Sequence, residues 1–244
     1  MEFVGLDNYI KAFQDEVFLI ALKNTMIFVT GTIPFTTGIA LVIAILLNNK
    51  RLKGRDFFKS GFFLPSVISM VVISMIWTYM YSSNGLFNTI GSLLGFSMED
   101  RSWLASTKTA LPAIMIMDVW AAFGYYVILI FAGLQSIPGQ LYEAAKIDGA
   151  SSFKIATKIT LPLLKPTLFF VIAINTIRSF QIFSEIYTMT GGGPRNSTQT
   201  IVHYLYEVSF RKFDMGYGSA IAYILLMIII TITIIQKRVL RSEV

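Results

Sequence analysis

Long apolar runs separated by short charged segments dominate this 244-residue chain. A helix that crosses about 30 Å of hydrocarbon needs about 20 mostly apolar residues, and it must satisfy its own backbone because lipid offers no hydrogen bonds. Five runs reach that length, so we expect an all-α, polytopic membrane helical bundle with about five transmembrane helices. The five runs cover residues 24–49, 61–81, 110–134, 166–188 and 215–236.

The composition excludes several other classes of protein. Hydrophobic residues make up 55% of the chain and charged residues only 14%, whereas soluble chains carry about 25% charged residues. The absence of cysteine excludes disulfides and thiolate metal sites, and a single histidine, His203, argues against a multi-histidine metal site. No G-x-x-x-x-G-K-[ST] phosphate loop occurs. We therefore predict no ATP hydrolysis by this chain, no catalytic residues and no metal site.

The distribution of Lys and Arg predicts the orientation of the helices, because short loops rich in positive charge stay in the cytoplasm. Twelve basic residues fall in segments 50–59, 135–165 and 237–241, on one side of the predicted membrane. Seven fall on the other side, together with eight acidic residues. We therefore place the C-terminus in the cytoplasm and residue 1 on the outer side of the cell membrane. The net charge of +6 follows from this topology and does not predict a nucleic-acid partner.

The predicted outer position of the amino terminus needs an explanation, because residues 1–24 contain no apolar segment that could lead it across. We expect that a first helix is missing from this sequence, which would make the full protein six-spanning. A short acidic tail that crosses unaided is the alternative.

The longest predicted cytoplasmic segment, 135–165, has the pattern of two short helices joined by a turn. Apolar residues recur at roughly helical spacing before Gly149, which permits the sharp reversal at a helix end. Ser151 can cap a second short helix, which we expect Pro162 to stop before the fourth apolar run. An amphipathic helix-turn-helix on the cytoplasmic side predicts a docking site for a protein partner.

This segment resembles the EAA loop of ABC importer permeases, the element that docks into a groove on the ATPase subunit. The matching pattern is Glu-Ala-Ala at 143–145, Gly149 after three more residues, and Ile-Thr-Leu-Pro at 159–162 after a further nine. Several features at fixed offsets make the signal specific. The resemblance implies that this loop couples the membrane helices to ATP hydrolysis by another subunit. The implied coupling residues are Glu143, Ala144, Ala145, Asp148, Gly149, Ile159, Leu161 and Pro162.

Two further segments resemble carbohydrate-type permeases related to the larger permease of the maltose system. Residues 3–9 are similar to the segment after their first membrane helix, and residues 190–220 are similar to their outer loop and the entry to their last helix. The resemblance covers essentially the whole chain and implies one permease domain over residues 1–244. The implied partners are a sister permease, two ABC ATPase subunits that bind ATP and Mg²⁺, an extracytoplasmic solute-binding protein that delivers sugar, and membrane lipid.

Three ionisable residues lie inside predicted membrane helices, namely Asp118, Arg178 and Glu185. Such groups cost about 2.5–3.5 kcal/mol each on insertion scales, so they face a partner or a watery cavity. Polar and aromatic neighbours can complete a sugar path, and the resemblance implies that these stretches line a central cavity. The predicted path consists of Asp118, Trp120, Tyr125, Tyr126, Asn175, Arg178, Ser179, Gln181 and Glu185.

Arg178 leaves two interpretations open. It can neutralise Asp118 or Glu185 as a structural ion pair, or it can recognise an anionic solute such as a uronate oligosaccharide or a polyol phosphate. A rival from another class is a secondary transporter in which these three residues relay ions, although it would not need a cytoplasmic docking loop. A non-transporting membrane scaffold is a third possibility.

Overall fold

A computed structural model describes residues 4–49, 52–95 and 102–240, so the predicted position of residue 1 lies outside the described residues. Within these ranges every regular element is helical and no strand occurs. The elements in chain order are α1 (Asp7–Gln14), α2 (Glu16–Leu47), α3 (Arg55–Val67), α4 (Met70–Met80), α5 (Leu86–Leu93), α6 (Ala110–Gln135), α7 (Gly139–Ile147), α8 (Ser152–Ile155), the π-helical turn π1 (Ala156–Thr160), α9 (Leu161–Phe180), α10 (Ser184–Met189), α11 (Ile201–Tyr206), the π-helical turn π2 (Glu207–Arg211) and α12 (Met215–Leu240).

Among the described residues, four helices are long and apolar enough to cross a membrane. They are α2, α6, α12 and the continuous helix Ser152–Phe180 that α8, π1 and α9 form together. The pair α3 and α4 makes a fifth, sharply bent candidate. The polytopic helical bundle predicted from the apolar runs is thus confirmed. Its central helix is α6, which contacts α2, α3 and α9.

The second apolar run is not one straight helix, contrary to our prediction. Helices α3 and α4 meet at an angle of 94°, because the backbone becomes extended at Ile68, with φ −81° and ψ 144°. Pro65 lies within the last turn of α3, where its missing N–H removes one helical hydrogen bond. The bend brings α4 against α10, beside the ionisable residues described below.

The fourth apolar run differs from its prediction at both ends. Pro162 does not stop a helix, because π1 shifts the hydrogen-bond register just before it and the chain remains helical from Ser152 to Phe180. At the other end α9 stops at Phe180, and Glu185 lies on the separate helix α10. The fourth run, 166–188, which we expected to form one helix, is therefore interrupted after Phe180.

Asp15 links α2, α11 and α12. Its Oδ1 accepts hydrogen bonds from the backbone amides of Val17 (2.9 Å) and Phe18 (3.4 Å), which caps α2. Its Oδ2 accepts hydrogen bonds from the hydroxyls of Tyr204 and Tyr217. Burial alone would raise the pKa of Asp15, but these four hydrogen bonds outweigh burial and hold the pKa below its ordinary value.

Replacing Asp15 with asparagine should lower the stability of the folded chain by about 1.5–3 kcal/mol, the magnitude of hydrogen bonds to a charged group. The native pKa of Asp15 is lowered, so its charge stabilises the fold fully above the unfolded pKa of about 3.9. That contribution is lost as the pH falls through the lower native value. The melting temperature of the detergent-solubilised protein should therefore fall more steeply with decreasing pH, between about pH 7 and 3, in the wild type than in Asp15→Asn.

The matched control for this experiment is Asp7→Asn, at an exposed position on α1. It should retain the acid sensitivity of the wild type. Equal pH dependence in the wild type and in Asp15→Asn would contradict the role assigned to Asp15.

Candidate functional site

An ion cluster lies where α6, α9 and α10 meet. The Arg178 guanidinium donates a hydrogen bond of 3.0 Å to Oδ1 of Asp118, and its Nη2 lies 3.8 Å from Oε1 of Glu185. The side chains of Asp118 and Glu185 are 5% and 8% exposed, whereas that of Arg178 is 36% exposed. Isolated buried charges are costly, so the guanidinium stabilises both carboxylates in this position. The break after α9 allows Glu185 to join the cluster.

An open pocket of about 440 Å³ adjoins this cluster. Arg178 of α9, Gln181 of the break and Glu185 of α10 line it, together with Met70 of α4 and Phe183. The pocket therefore lies where the bent second run meets the interrupted fourth run. It offers guanidinium donors and carboxylate acceptors to a polar solute.

The three aromatic residues predicted on α6 have different surroundings. Trp120 is partly exposed, and its ring centroid lies 5.4 Å from that of Trp77 on α4. Tyr125 is also partly exposed and makes an edge contact with Tyr126 at 5.3 Å. Tyr126 itself is buried in the core formed by α2, α6 and α9. Trp120 and Tyr125 thus present open ring surface.

Asn175 and Ser179 are turned towards α2, and neither lines the pocket. Asn175 Nδ2 donates to Thr37 Oγ1 over 3.5 Å, and Ser179 Oγ lies 3.5 Å from Thr32 Oγ1. All four side chains are buried. They form a polar seam between α2 and α9, with hydrogen bonds of the kind that hold membrane helices together at about 0.6 kcal/mol each.

The first helix and the turn predicted within residues 135–165 are present, whereas the second helix continues into α9. Helix α7 ends before Gly149, whose φ of +71° is left-handed, and the amide of Ala150 bonds to the carbonyl of Ala145 at 2.9 Å. Ser151 Oγ accepts a hydrogen bond of 3.3 Å from the amide of Lys154, which caps α8. The turn therefore forms by the local interactions that the sequence suggested.

Most of the implied coupling residues are exposed in this chain. The exposed ones are Glu143, Ala144, Asp148, Gly149 and Pro162. Ala145 is buried, and Ile159 and Leu161 are half-buried. Two large apolar side chains next to them, Ile147 and Phe153, are 86% and 79% exposed. The loop thus presents a surface that combines a carboxylate, small residues and uncovered apolar groups.

A group of aromatic residues that our sequence analysis did not select reaches the pocket through one member, Phe183. The ring of Phe183, which lines the pocket, lies 5.4 Å from that of Tyr187 and 5.2 Å from that of Tyr206. His203 is buried beside them, its Nδ1 lies 2.7 Å from Oε1 of Gln199, and burial lowers its pKa. Periodicity could not reveal this group, because its members come from α11, from α10 and from Phe183 just before α10, and they meet only in the folded chain.

Comparison with known protein families identifies the family of this chain. Residues 18–242 match the family described as binding-protein-dependent transport system inner membrane component. The chain belongs to this family. It is a multi-pass membrane permease, and the resemblance inferred from the coupling loop is confirmed.

Curated relatives of this permease are transport proteins rather than enzymes. It is 38% identical to the trehalose/maltose transport system permease protein of Thermococcus litoralis, over 97% of its own length and 79% of that protein. It is 35% identical to the lactose transport system permease protein of Rhizobium radiobacter, over 97% of its own length and 80% of that protein. Because they cover 97% of the chain, these matches include residues 135–165 and the ion cluster.

A solved structure has the same fold as this permease. A chain of a bacterial alginate ABC transporter, crystallised in complex with an alginate pentasaccharide-bound periplasmic protein, superposes with a TM-score of 0.87. The match covers 99% of the permease and 85% of that chain at 24% identity. At this identity the likeness concerns the arrangement of the helices alone.

Proposed function

We propose that this permease is the membrane-spanning subunit of an ATP-driven sugar importer that receives its solute from an external binding protein. The observation that carries the proposal is the set of solutes in the names of similar permeases, which include trehalose/maltose, lactose and arabinooligosaccharides. The identity to each of these extends over almost the whole chain. The matched region therefore includes the segments that form the pocket.

The charges of the ion cluster favour a neutral sugar over an anionic solute. Two carboxylates, Asp118 and Glu185, surround one guanidinium, that of Arg178. An anionic solute would compete with Asp118 for the guanidinium and would be repelled by Glu185. A neutral sugar can accept hydrogen bonds from the exposed part of Arg178 and donate hydroxyl protons to carboxylate oxygens. We therefore adopt the structural ion pair as the role of Arg178.

In the proposed complex the permease pairs with a sister permease, and the pair is coupled to two ABC ATPase subunits that bind ATP and Mg²⁺. The surface formed by α7 and α8 is the contact with one ATPase. Ile147 and Phe153 would fill apolar positions in its groove, since they are largely uncovered in this chain. Glu143 would pair with a basic residue of the ATPase.

The coupling movement can reach the pocket through one rigid element. The helix from Ser152 to Phe180 is continuous, with the coupling loop at its start and Arg178 in its last turn. Closure of the ATPases on ATP would displace the loop, and this helix would transmit the displacement to the pocket. The pocket would then open alternately to the two sides of the membrane.

Replacing Gly149 with valine should weaken the contact between the permease and its ATPase. The left-handed conformation at this position (φ +71°) costs a non-glycine residue about 1–2 kcal/mol, and a β-branched side chain is least suited to it. Glu143→Lys should have a similar effect by inverting the charge at the contact. We expect sugar-stimulated ATPase activity of the reconstituted complex to fall about tenfold in each variant, with weaker co-purification of the ATPase.

Gly149→Asn is the control, because asparagine tolerates the left-handed conformation better than other residues with side chains. It should retain most of the stimulation. Wild-type ATPase co-purification and uptake in both Gly149→Val and Glu143→Lys would exclude this loop as the coupling element.

The proposed function is tested by reconstituting the permease in liposomes with its sister permease, ATPase and binding protein. ATPase activity is then measured with trehalose, maltose, lactose, arabinooligosaccharides, a uronate oligosaccharide and glycerol phosphate. Stimulation by a neutral sugar supports the proposal, whereas stimulation only by an anionic solute would give Arg178 the recognition role. Uptake that ignores ATP and collapses with the membrane potential would indicate a secondary transporter, and no response to any solute would indicate a scaffold.

A further inference from the structure

Four aromatic rings extend from the pocket over α10, α11 and π2. The ring centroid of Phe183, at the pocket, lies 5.2 Å from that of Tyr206, and Tyr206 lies 5.7 Å from Phe210. Tyr187 lies alongside, 5.4 Å from Phe183 and 5.7 Å from Tyr206. We call Phe183, Tyr187, Tyr206 and Phe210 the aromatic ladder. It begins at a residue that also lines the pocket beside Arg178.

The aromatic ladder is open and has charged groups along it. The residues Tyr187 and Phe210 are 44% and 57% exposed. The guanidinium carbon of Arg211 lies 5.9 Å from the ring centroid of Tyr187 and 6.0 Å from that of Tyr206. The carboxylate of Glu207 lies 3.7 Å from Arg211. Partly exposed aromatic rings thus occur next to both a hydrogen-bond donor and an acceptor.

This combination fits a carbohydrate better than a lipid tail. A sugar ring has an apolar C–H face that can stack on an aromatic ring, and its hydroxyl groups can bond to charged side chains at the edge of that ring. A lipid tail offers nothing to Arg211 and Glu207, and ionisable groups facing hydrocarbon are costly.

We propose that the aromatic ladder is a saccharide subsite that receives sugar rings before they enter the pocket beside Arg178. The inference rests on the proposed function and extends it, because it assigns recognition of sugar rings to a surface outside the ion cluster. The saccharide subsite also predicts that di- and trisaccharides bind better than monosaccharides, since only the longer saccharides can occupy the aromatic ladder and the pocket together.

The test replaces rings by leucine, which keeps apolar bulk but has no aromatic face to stack on a sugar. Uptake of maltose, lactose and arabinotriose is measured in the reconstituted complex for Tyr187→Leu and Tyr206→Leu. We expect the KM for the imported sugar to rise about threefold to tenfold in each variant, the range expected for loss of one aromatic contact. Tyr187→Phe keeps the ring and should restore most of the affinity.

Tyr223→Leu is the matched control, since Tyr223 is an exposed tyrosine on α12 that lies outside the ladder and lines a different, apolar groove. Its KM should equal that of the wild type. Should a tyrosine variant fail to assemble, Phe210→Leu provides the same test at a largely exposed ring.

The outcomes separate this inference from the proposed function. Wild-type KM values in the leucine variants, or an equal rise in Tyr223→Leu, would overturn the saccharide subsite while leaving sugar import intact. A wild-type complex that imports none of the three sugars would overturn the proposed function, and the subsite with it.

Discussion

Replacing Gly124 with valine should displace α3 from α6 and abolish transport. A Cβ atom at Gly124 would lie 1.7 Å from the carbonyl oxygen of Phe62 and 2.5 Å from its carbonyl carbon. These are backbone atoms of α3, so they cannot move aside as a flexible side chain would. Overpacking of a core typically costs about 1–3 kcal/mol, and we expect at least the upper value here because a whole helix must shift.

The loss of stability at Gly124 should be visible as a fall in melting temperature of about 6–12 °C, since about 1 kcal/mol shifts the melting temperature of a chain of this size by about 2–4 °C. Size-exclusion profiles of the detergent-solubilised permease after heating would measure it. The control is Gly38→Val on α2, where an added Cβ would meet no heavy atom of the described residues within 4 Å outside the backbone of its own helix. Similar melting temperatures for the two variants would show that α3 does not depend on close approach to Gly124.

The consequence for transport follows from the connection between α3 and the pocket. Helix α3 leads directly into α4 through the bend at Ile68, and Met70 at the start of α4 lines the pocket. A displaced α3 would therefore alter the pocket wall. Small residues that allow close approach are a common feature of membrane helix contacts, but the sequence does not show which glycine has this role.

The apolar runs predicted the membrane helices because the bilayer sets their length, whereas the bends depend on tertiary contacts. Pro65 lies in α3 just before a bend of 94°. Pro34 lies inside α2, yet that helix is continuous from Glu16 to Leu47. A proline weakens a helix in both places, and the neighbouring elements decide whether the helix bends. The sequence therefore predicted the number of crossings better than their shape.

The ionisable members of the candidate site were predictable, but the neighbours of the polar residues were not. The cost of a charge in lipid required partners for Asp118 and Arg178, and they are partners of each other. Asn175 and Ser179 avoid the cost of an unpaired polar group in lipid by hydrogen-bonding to α2. A pattern of polar residues on one helix does not reveal whether they face another helix or a cavity. Which of the two they face depends on how the helices pack, and this packing is seen only in the folded structure.

Replacing Arg178 with leucine should destabilise the permease more than any other single change in the ion cluster. It would leave the buried carboxylates of Asp118 and Glu185 without their guanidinium. Removing one partner of a buried pair costs about 3–5 kcal/mol, and we expect the lower end because the Arg178 side chain is 36% exposed. The melting temperature of the detergent-solubilised permease should fall accordingly.

A double-mutant cycle determines whether Arg178 acts as an ion-pair partner or as a receptor for an anionic solute. If the pair with Asp118 is structural, the double variant Asp118→Asn/Arg178→Gln should lose less stability than the two single variants lose together. The difference should be about 0.5–3 kcal/mol. The double variant should also regain import of a neutral sugar, because the two amides can hydrogen-bond to each other and position 118 no longer carries an unpaired buried charge. Additive losses of stability, together with uptake that disappears whenever Arg178 is absent, would instead make its guanidinium the group that holds the solute.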